Sequence, residues 1–138
     1  MVAYLDSSVV LRRVLLGEIV IEQAFACPRC VTSELLEIEC RRVIQRCRLT
    51  GELTDAGLAD AFERLESILA AVDLLDLSRD IKRRAMGAFP VVVRTLDALH
   101  LATALIVAQT DDRVAVFSHD DGMNRCARAI GLIAPLST

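Results

Sequence analysis

The sequence predicts an α/β fold, a single domain over residues 1–138 with a mainly parallel central sheet flanked by helices. Three observations carry this. Short apolar runs such as Val2–Leu5 and Val114–Phe117 alternate with segments of helical period. Polar capping residues follow the runs, so each strand feeds a helix. A chain of 138 residues is one domain by length, and strand–helix alternation is the pattern of a parallel sheet covered on both faces.

Taken in order, residues 2–5 read as a buried strand ending at Asp6, and Ser7-Ser8 begins a helix to about Leu15. Gly17 breaks it, and a short helical stretch covers about 18–25. Arg29–Thr32 reads as the second strand. Thr32 or Ser33 then caps a long helix to about Leu49, whose apolar stripe is Leu36, Cys40, Val43, Ile44 and Cys47. Thr54 or Asp55 caps a helix over 55–71. Val72–Leu77 reads as a strand, and Ser78 caps a helix to about Met86, ended by Gly87 and Pro90. Asp97 opens a helix to about Gln109 that is apolar almost all round and therefore central. Arg113–Ser118 is a strand, Asp121–Ile130 the last helix, and Leu132–Pro135 a final edge strand.

Composition narrows the function classes. Apolar residues make up 54 % of the chain, yet no uninterrupted apolar run approaches the roughly 20 residues that span a bilayer. The N-terminus has no basic region before Asp6, so it is not a secretory signal. A cytoplasmic protein without a membrane partner is expected. The odd number of scattered cysteines fits that compartment. Cys27-Pro28-Arg29-Cys30 lacks the second pair that zinc needs, and strand rather than helix follows it. The net charge of −3 disfavours nucleic acid at first sight. Nearly all the basic residues are nonetheless Arg, the better phosphate fork, and they cluster at Arg41, Arg42, Arg46 and Arg48 and again at Arg79, Lys82, Arg83, Arg84 and Arg94.

Four acids stand at element boundaries: Asp6, Glu39, Asp97 and Asp120. Singly, each has an ordinary reading. The three Asp residues suit N-caps, and Glu39 suits a helix-surface pair with Arg42 or Arg46. On a helical wheel Glu39 and Glu37 flank the apolar stripe equally, so periodicity leaves both open. Jointly, the topology delivers the acids to the carboxyl edge of one sheet, where sites of open parallel sheets form. Carboxylates gathered there repel unless a cation intervenes. An all-oxygen set suits Mg²⁺ or Mn²⁺, and from there phosphodiester hydrolysis. Ser8 and Ser118 stand where hydroxyls would hold the carboxylates.

These residues resemble a PIN domain and, within it, a VapC-type toxin ribonuclease. Tyr4-Leu5-Asp6-Ser7-Ser8 is similar to the opening motif of that family. Ser33 followed by Glu39 and then Arg41-Arg42 resembles the second, and this offset selects Glu39 over Glu37. Arg94-Thr95-Leu96-Asp97-Ala98-Leu99-His100-Leu101-Ala102 closely resembles the third and most specific, and Ser118-His119-Asp120 before Asn124-Arg125 resembles the fourth. The resemblance implies that Asp6, Glu39, Asp97 and Asp120 bind Mg²⁺ or Mn²⁺ and direct water at RNA, leaving a 5′-phosphate and a 3′-hydroxyl. It leaves open whether Asp121 shares the role of Asp120. Beside that resemblance, clustering reads Arg42, Arg46, Arg83 and Arg84 as an RNA track, and the lack of a metal-ligand spacing reads His100 and His119 as supporting or packing residues. The resemblance also implies a VapB-type antitoxin of a type II toxin–antitoxin system as partner, and a homodimer. The competing readings are a catalytically silent PIN-like module that binds RNA or protein, and an aspartate-dependent phosphohydrolase. The second would want an Asp where Ser8 stands.

Overall fold

Alternation within the strands sets the architecture. In the computed structural model, which describes residues 1–110 and 113–136, β1 (Val2–Leu5) and β4 (Val114–Phe117) are buried along their whole length. Successive side chains point to opposite faces of the sheet. Ala3, Leu5, Ala115 and Phe117 enter one core, and Val2, Tyr4, Val114 and Val116 enter the other. A strand apolar on both faces is stable only between two helical layers.

The remaining elements are α1 (Ser7–Leu16), α2 (Ile21–Phe25), β2 (Arg29–Ser33), α3 (Glu34–Leu49), α4 (Asp55–Ala70), β3 (Asp73–Leu75), α5 (Arg79–Ala85), α6 (Thr95–Ala108) and α7 (Asp121–Ala129). The sheet order is β3-β2-β1-β4, and every pairing is parallel. On the first face, Val10 and Val14 of α1, Leu36, Cys40 and Ile44 of α3 and Leu65 of α4 fill the core. On the second, Leu101, Ala104 and Val107 of α6 meet Met123, Cys126 and Ala127 of α7. The expected edge strand over 132–135 reduces to a single bridge, Ala115 to Ile133. Among the described residues, no helix is long and apolar enough to cross a membrane.

Local chemistry fixes the helix starts. The hydroxyls of Ser33, Thr54 and Ser78 accept from the backbone N–H groups of Leu35, Gly57 and Ile81, satisfying donors that a helix leaves orphaned. Thr32 does not cap. Its hydroxyl donates to the Leu5 carbonyl at 2.7 Å and ties the ends of β2 and β1 together. Gly17 takes a left-handed φ of 71° that closes α1. The cysteines are all free thiols, and burial, followed by Cys27 and Asp73, pushes the Cys30 thiol up to about 12. Such a thiol is protonated and inert at neutral pH.

Candidate active site

The sheet reverses its winding at β1, with β2 and β3 on one side and β4 on the other. The carboxyl ends of β1 and β4 therefore form the switch point where α/β proteins place their ligands. Asp6 leaves β1 there and Ser118 leaves β4.

Asp6 is 5 % exposed and stands at the N-cap position of α1, yet its side chain makes no capping bond. Instead, Ser8 Oγ donates to Asp6 Oδ2 at 2.8 Å and Ser118 Oγ donates to the same oxygen at 2.7 Å. These hydroxyls accept in turn from the loop after β4, Ser8 from His119 N and Ser118 from Asp120 N, both at 3.0 Å. Asn124 Nδ2 donates to the Ser118 carbonyl. Both serines spend themselves on Oδ2, so they fix the carboxylate without occupying Oδ1.

Asp120 does cap, its Oδ1 accepting from Met123 N at 2.8 Å. Asp97 does not, contrary to the expectation that it opens its helix. Arg94 is the N-cap residue of α6, and Asp97 lies inside the first turn. Asp97 is half-buried, and its carboxyl is raised above the usual range by burial first, then by the charges of Asp6 and Asp120. Arg94 and His100 pull the other way. Three acids from β1, α6 and the β4–α7 loop thus lie within electrostatic reach of one another. Asp121 is exposed on the first turn of α7.

Glu39 joins through a residue from the other layer. His100 Nε2 lies 2.5 Å from Glu39 Oε1, and His100 Nδ1 lies 2.6 Å from the Tyr4 hydroxyl. An ionised carboxylate only accepts, so Nε2 carries the proton. Burial opposes charge on His100, but the bond to Glu39 and the charges of Glu39, Asp6 and Asp97 outweigh it and raise its pKa. Tyr4 is fully buried, and burial raises its phenol far above its ordinary value, so the hydroxyl stays neutral. Glu37 turns instead to Arg41 at 2.7 Å, and Arg41 also pairs with Glu66 of α4. The two glutamates that a helical wheel leaves equivalent have different partners.

Arg94 crosses the site. Its Nε stands 3.7 Å from Asp97 Oδ2, and its Nη2 stands 3.7 Å from Asp120 Oδ2. In the sequence Arg94 reads as one of the clustered cations and as the head of the third motif, and His100 as a supporting or packing residue. The available signal was spacing, since Arg94, Asp97 and His100 recur every third residue and so share one side of α6. The proposed track divides. Arg42 and Arg46 are exposed and follow Glu39 on α3 by three and seven residues, on its side of the helix. Arg83 and Arg84 are not brought to the acids. They line a depression with Leu105, Ile106, Ala108 and Gln109 at the far end of α6, roughly 12–18 Å from Asp97 along the helix. Arg84 stacks on Phe89 at 4.4 Å and donates to the Ala88 carbonyl.

Hard carboxylate oxygens of this kind suit Mg²⁺ or Mn²⁺. As they stand, no three His, Cys, Asp or Glu side chains among the described residues are gathered closely enough to hold an ion. Each acid instead has a local partner: serines on Asp6, His100 on Glu39, Arg94 between Asp97 and Asp120. The donor chemistry fits a cation, and side-chain rotation would have to complete its shell.

A parallel α/β sheet with acids at its switch point defines a class, and the family model for the PIN domain matches residues 3–129. The chain belongs to the PIN domain family. It is 28 % identical over 109 residues to Ribonuclease VapC35 of Mycobacterium tuberculosis, spanning 78 % of this chain and 73 % of that protein. It is 39 % identical over 69 residues to Ribonuclease VapC46 of the same species, spanning 49 % of this chain and 52 % of that one. The fold matches that in the crystal structure of VapBC2 from Rickettsia felis bound to a promoter DNA fragment, with a TM-score of 0.69, 12 % identity and 96 % of each chain covered.

Proposed function

We propose that this chain is a metal-dependent endoribonuclease, the toxin of a type II toxin–antitoxin pair. The observation that carries the reading is the meeting of Asp6, Asp97 and Asp120 at the switch point, mutually felt at Asp97, with Glu39 held by His100. The similarity to proteins named VapC ribonucleases supports the substrate class. When bound, Mg²⁺ or Mn²⁺ would supply positive charge to the phosphate and lower the pKa of a water. Asp6, Glu39, Asp97 and Asp120 would hold it.

The chain's own residues do the rest. Ser8 and Ser118 lock Oδ2 of Asp6 and make no bond to Oδ1, which would be the oxygen offered to a cation. The Tyr4–His100 pair orients Glu39 from inside the core, so its carboxylate is held in place before substrate arrives. Exposed Arg42 and Arg46 beyond Glu39 would receive the phosphates of the RNA strand.

A VapB-type antitoxin is the proposed partner. Val92 and Leu96, beside the first turn of α6, are 99 % and 46 % exposed, and Ile38, next to Glu39, is 56 % exposed. Apolar side chains rimming an acidic site suit a covering partner.

The test is cleavage of labelled total RNA by purified protein, wild type beside Asp97→Asn, with Mg²⁺ or with EDTA. Cleavage by the wild type with metal alone is expected, with Asp97→Asn inert. Equal cleavage by Asp97→Asn overturns the site. No cleavage by folded, antitoxin-free wild type on any RNA favours the silent binding module.

A further inference from the structure

Three of the four acids are neutralised or fixed by groups that cannot easily leave. Asp6 is held by two serines, one of them buried. Glu39 is held by an imidazole that is fully buried between it and Tyr4. Asp120 has one oxygen bound to backbone.

The cation across Asp97 and Asp120 differs in kind. The Arg94 side chain is 84 % exposed, while Asp97 and Asp120 are 21 % and 36 % exposed. It reaches in from solvent over two partly buried acids. At 3.7 Å on each side, the contacts are charge pairs rather than hydrogen bonds. Its backbone is anchored at the N-cap of α6, three residues before Asp97, so the arm can swing without disturbing the fold. Its two contacts fall on two acids assigned above to the metal.

We propose that Arg94 is a built-in, displaceable counter-ion that competes with the divalent cation for Asp97 and Asp120. This rests on the metal-dependent reading of the site. The guanidinium offsets the repulsion of the acids while they stand apart, and a cation that draws them together must expel it. A single positive charge cannot bridge four carboxylates, so a divalent ion wins at sufficient concentration. Arg94 thereby sets how much divalent cation the site requires.

The experiment is calorimetric titration of Mn²⁺, and separately Mg²⁺, into RNA-free protein at fixed ionic strength. The proteins are wild type, Arg94→Gln, Arg94→Lys and Asp97→Asn. Arg94 is exposed, so its replacement should leave folding intact. A unit charge a few ångströms from a divalent ion changes affinity by about tenfold after solvent screening. Arg94→Gln should bind metal about tenfold more tightly than wild type, with the gap shrinking as salt rises, and Arg94→Lys should stay near wild type. Equal or weaker binding by Arg94→Gln overturns the counter-ion role while leaving the metal site standing. If wild type and Arg94→Gln both fail to bind, or Asp97→Asn binds as wild type does, the metal assignment falls and this inference with it.

Discussion

His100 links the second core to the candidate active site, and replacing it should be among the costliest changes this chain can suffer. The imidazole is fully buried, with one nitrogen 2.6 Å from the Tyr4 hydroxyl and the other 2.5 Å from Glu39. His100→Ala loses a hydrogen bond to a charged group, about 2 kcal/mol. It leaves the buried Tyr4 hydroxyl short of a partner, about 1 kcal/mol, since the Thr103 and Thr32 side chains also lie against that hydroxyl. It also opens a cavity, at about 1 kcal/mol. The expected loss is therefore about 4 kcal/mol, a large share of the roughly 5–15 kcal/mol that holds a domain. Urea unfolding at pH 7 reads it as a midpoint about 2 M lower. Tyr4→Phe alone should cost about 1 kcal/mol, because His100 loses a partner without a new buried polar group appearing. The double variant should fall short of the sum by about 1 kcal/mol, since phenylalanine has no hydroxyl to orphan. Strict additivity, or a His100→Ala loss under about 1 kcal/mol, would refute the linkage. The pH arm has a definite sign. The folded pKa of His100 is raised, so its contribution is fully present below the ordinary value of about 6.5 and is lost as pH rises through the folded value. Wild-type stability should decline over that window relative to His100→Ala.

The remaining predictions concern the glutamates and the basic track. Glu39→Gln should abolish RNA cleavage. Glu37→Gln should leave cleavage unchanged and cost only about 0.5 kcal/mol through its i,i+4 pair with Arg41, measured by parallel cleavage and urea assays. The reverse ranking would mean that the wrong glutamate faces the metal. Replacing Arg42 and Arg46 together by Ala should weaken RNA binding and flatten its salt dependence in anisotropy titrations. Replacing Arg83 and Arg84 should leave RNA affinity unchanged, and a loss there would extend the track to the far end of α6.

What the sequence made legible, and what it hid, divides along sequence separation. The strands carrying Asp6 and Ser118 declared themselves as short apolar runs, because a strand buried on both faces has no polar alternate positions. The same runs ended in the residues that matter, so the carboxyl edge could be found from local pattern alone. The status of Asp97 could not. An Asp near a helix start fits the cap and the first turn alike, and only the backbone puts the boundary at Arg94. The choice between Glu37 and Glu39 was equally closed to periodicity, since both flank one apolar stripe. The structure separates them by partner, Glu39 meeting His100, 61 residues away on another helix, and Glu37 meeting Arg41. Asp6 is fixed by Ser118 across 112 residues. Arg83 and Arg84 show the converse, for charge density in sequence says nothing about which end of a neighbouring helix it will meet. Local rules therefore place Asp6 and Asp120, which sit where strands end and helices begin, while Glu39 and Asp97 lie inside helices. Their partners are chosen by packing between layers, so spacing can set His100 and Arg94 on one side of α6 with Asp97, but which acids they hold or shield emerges only once the layers are assembled.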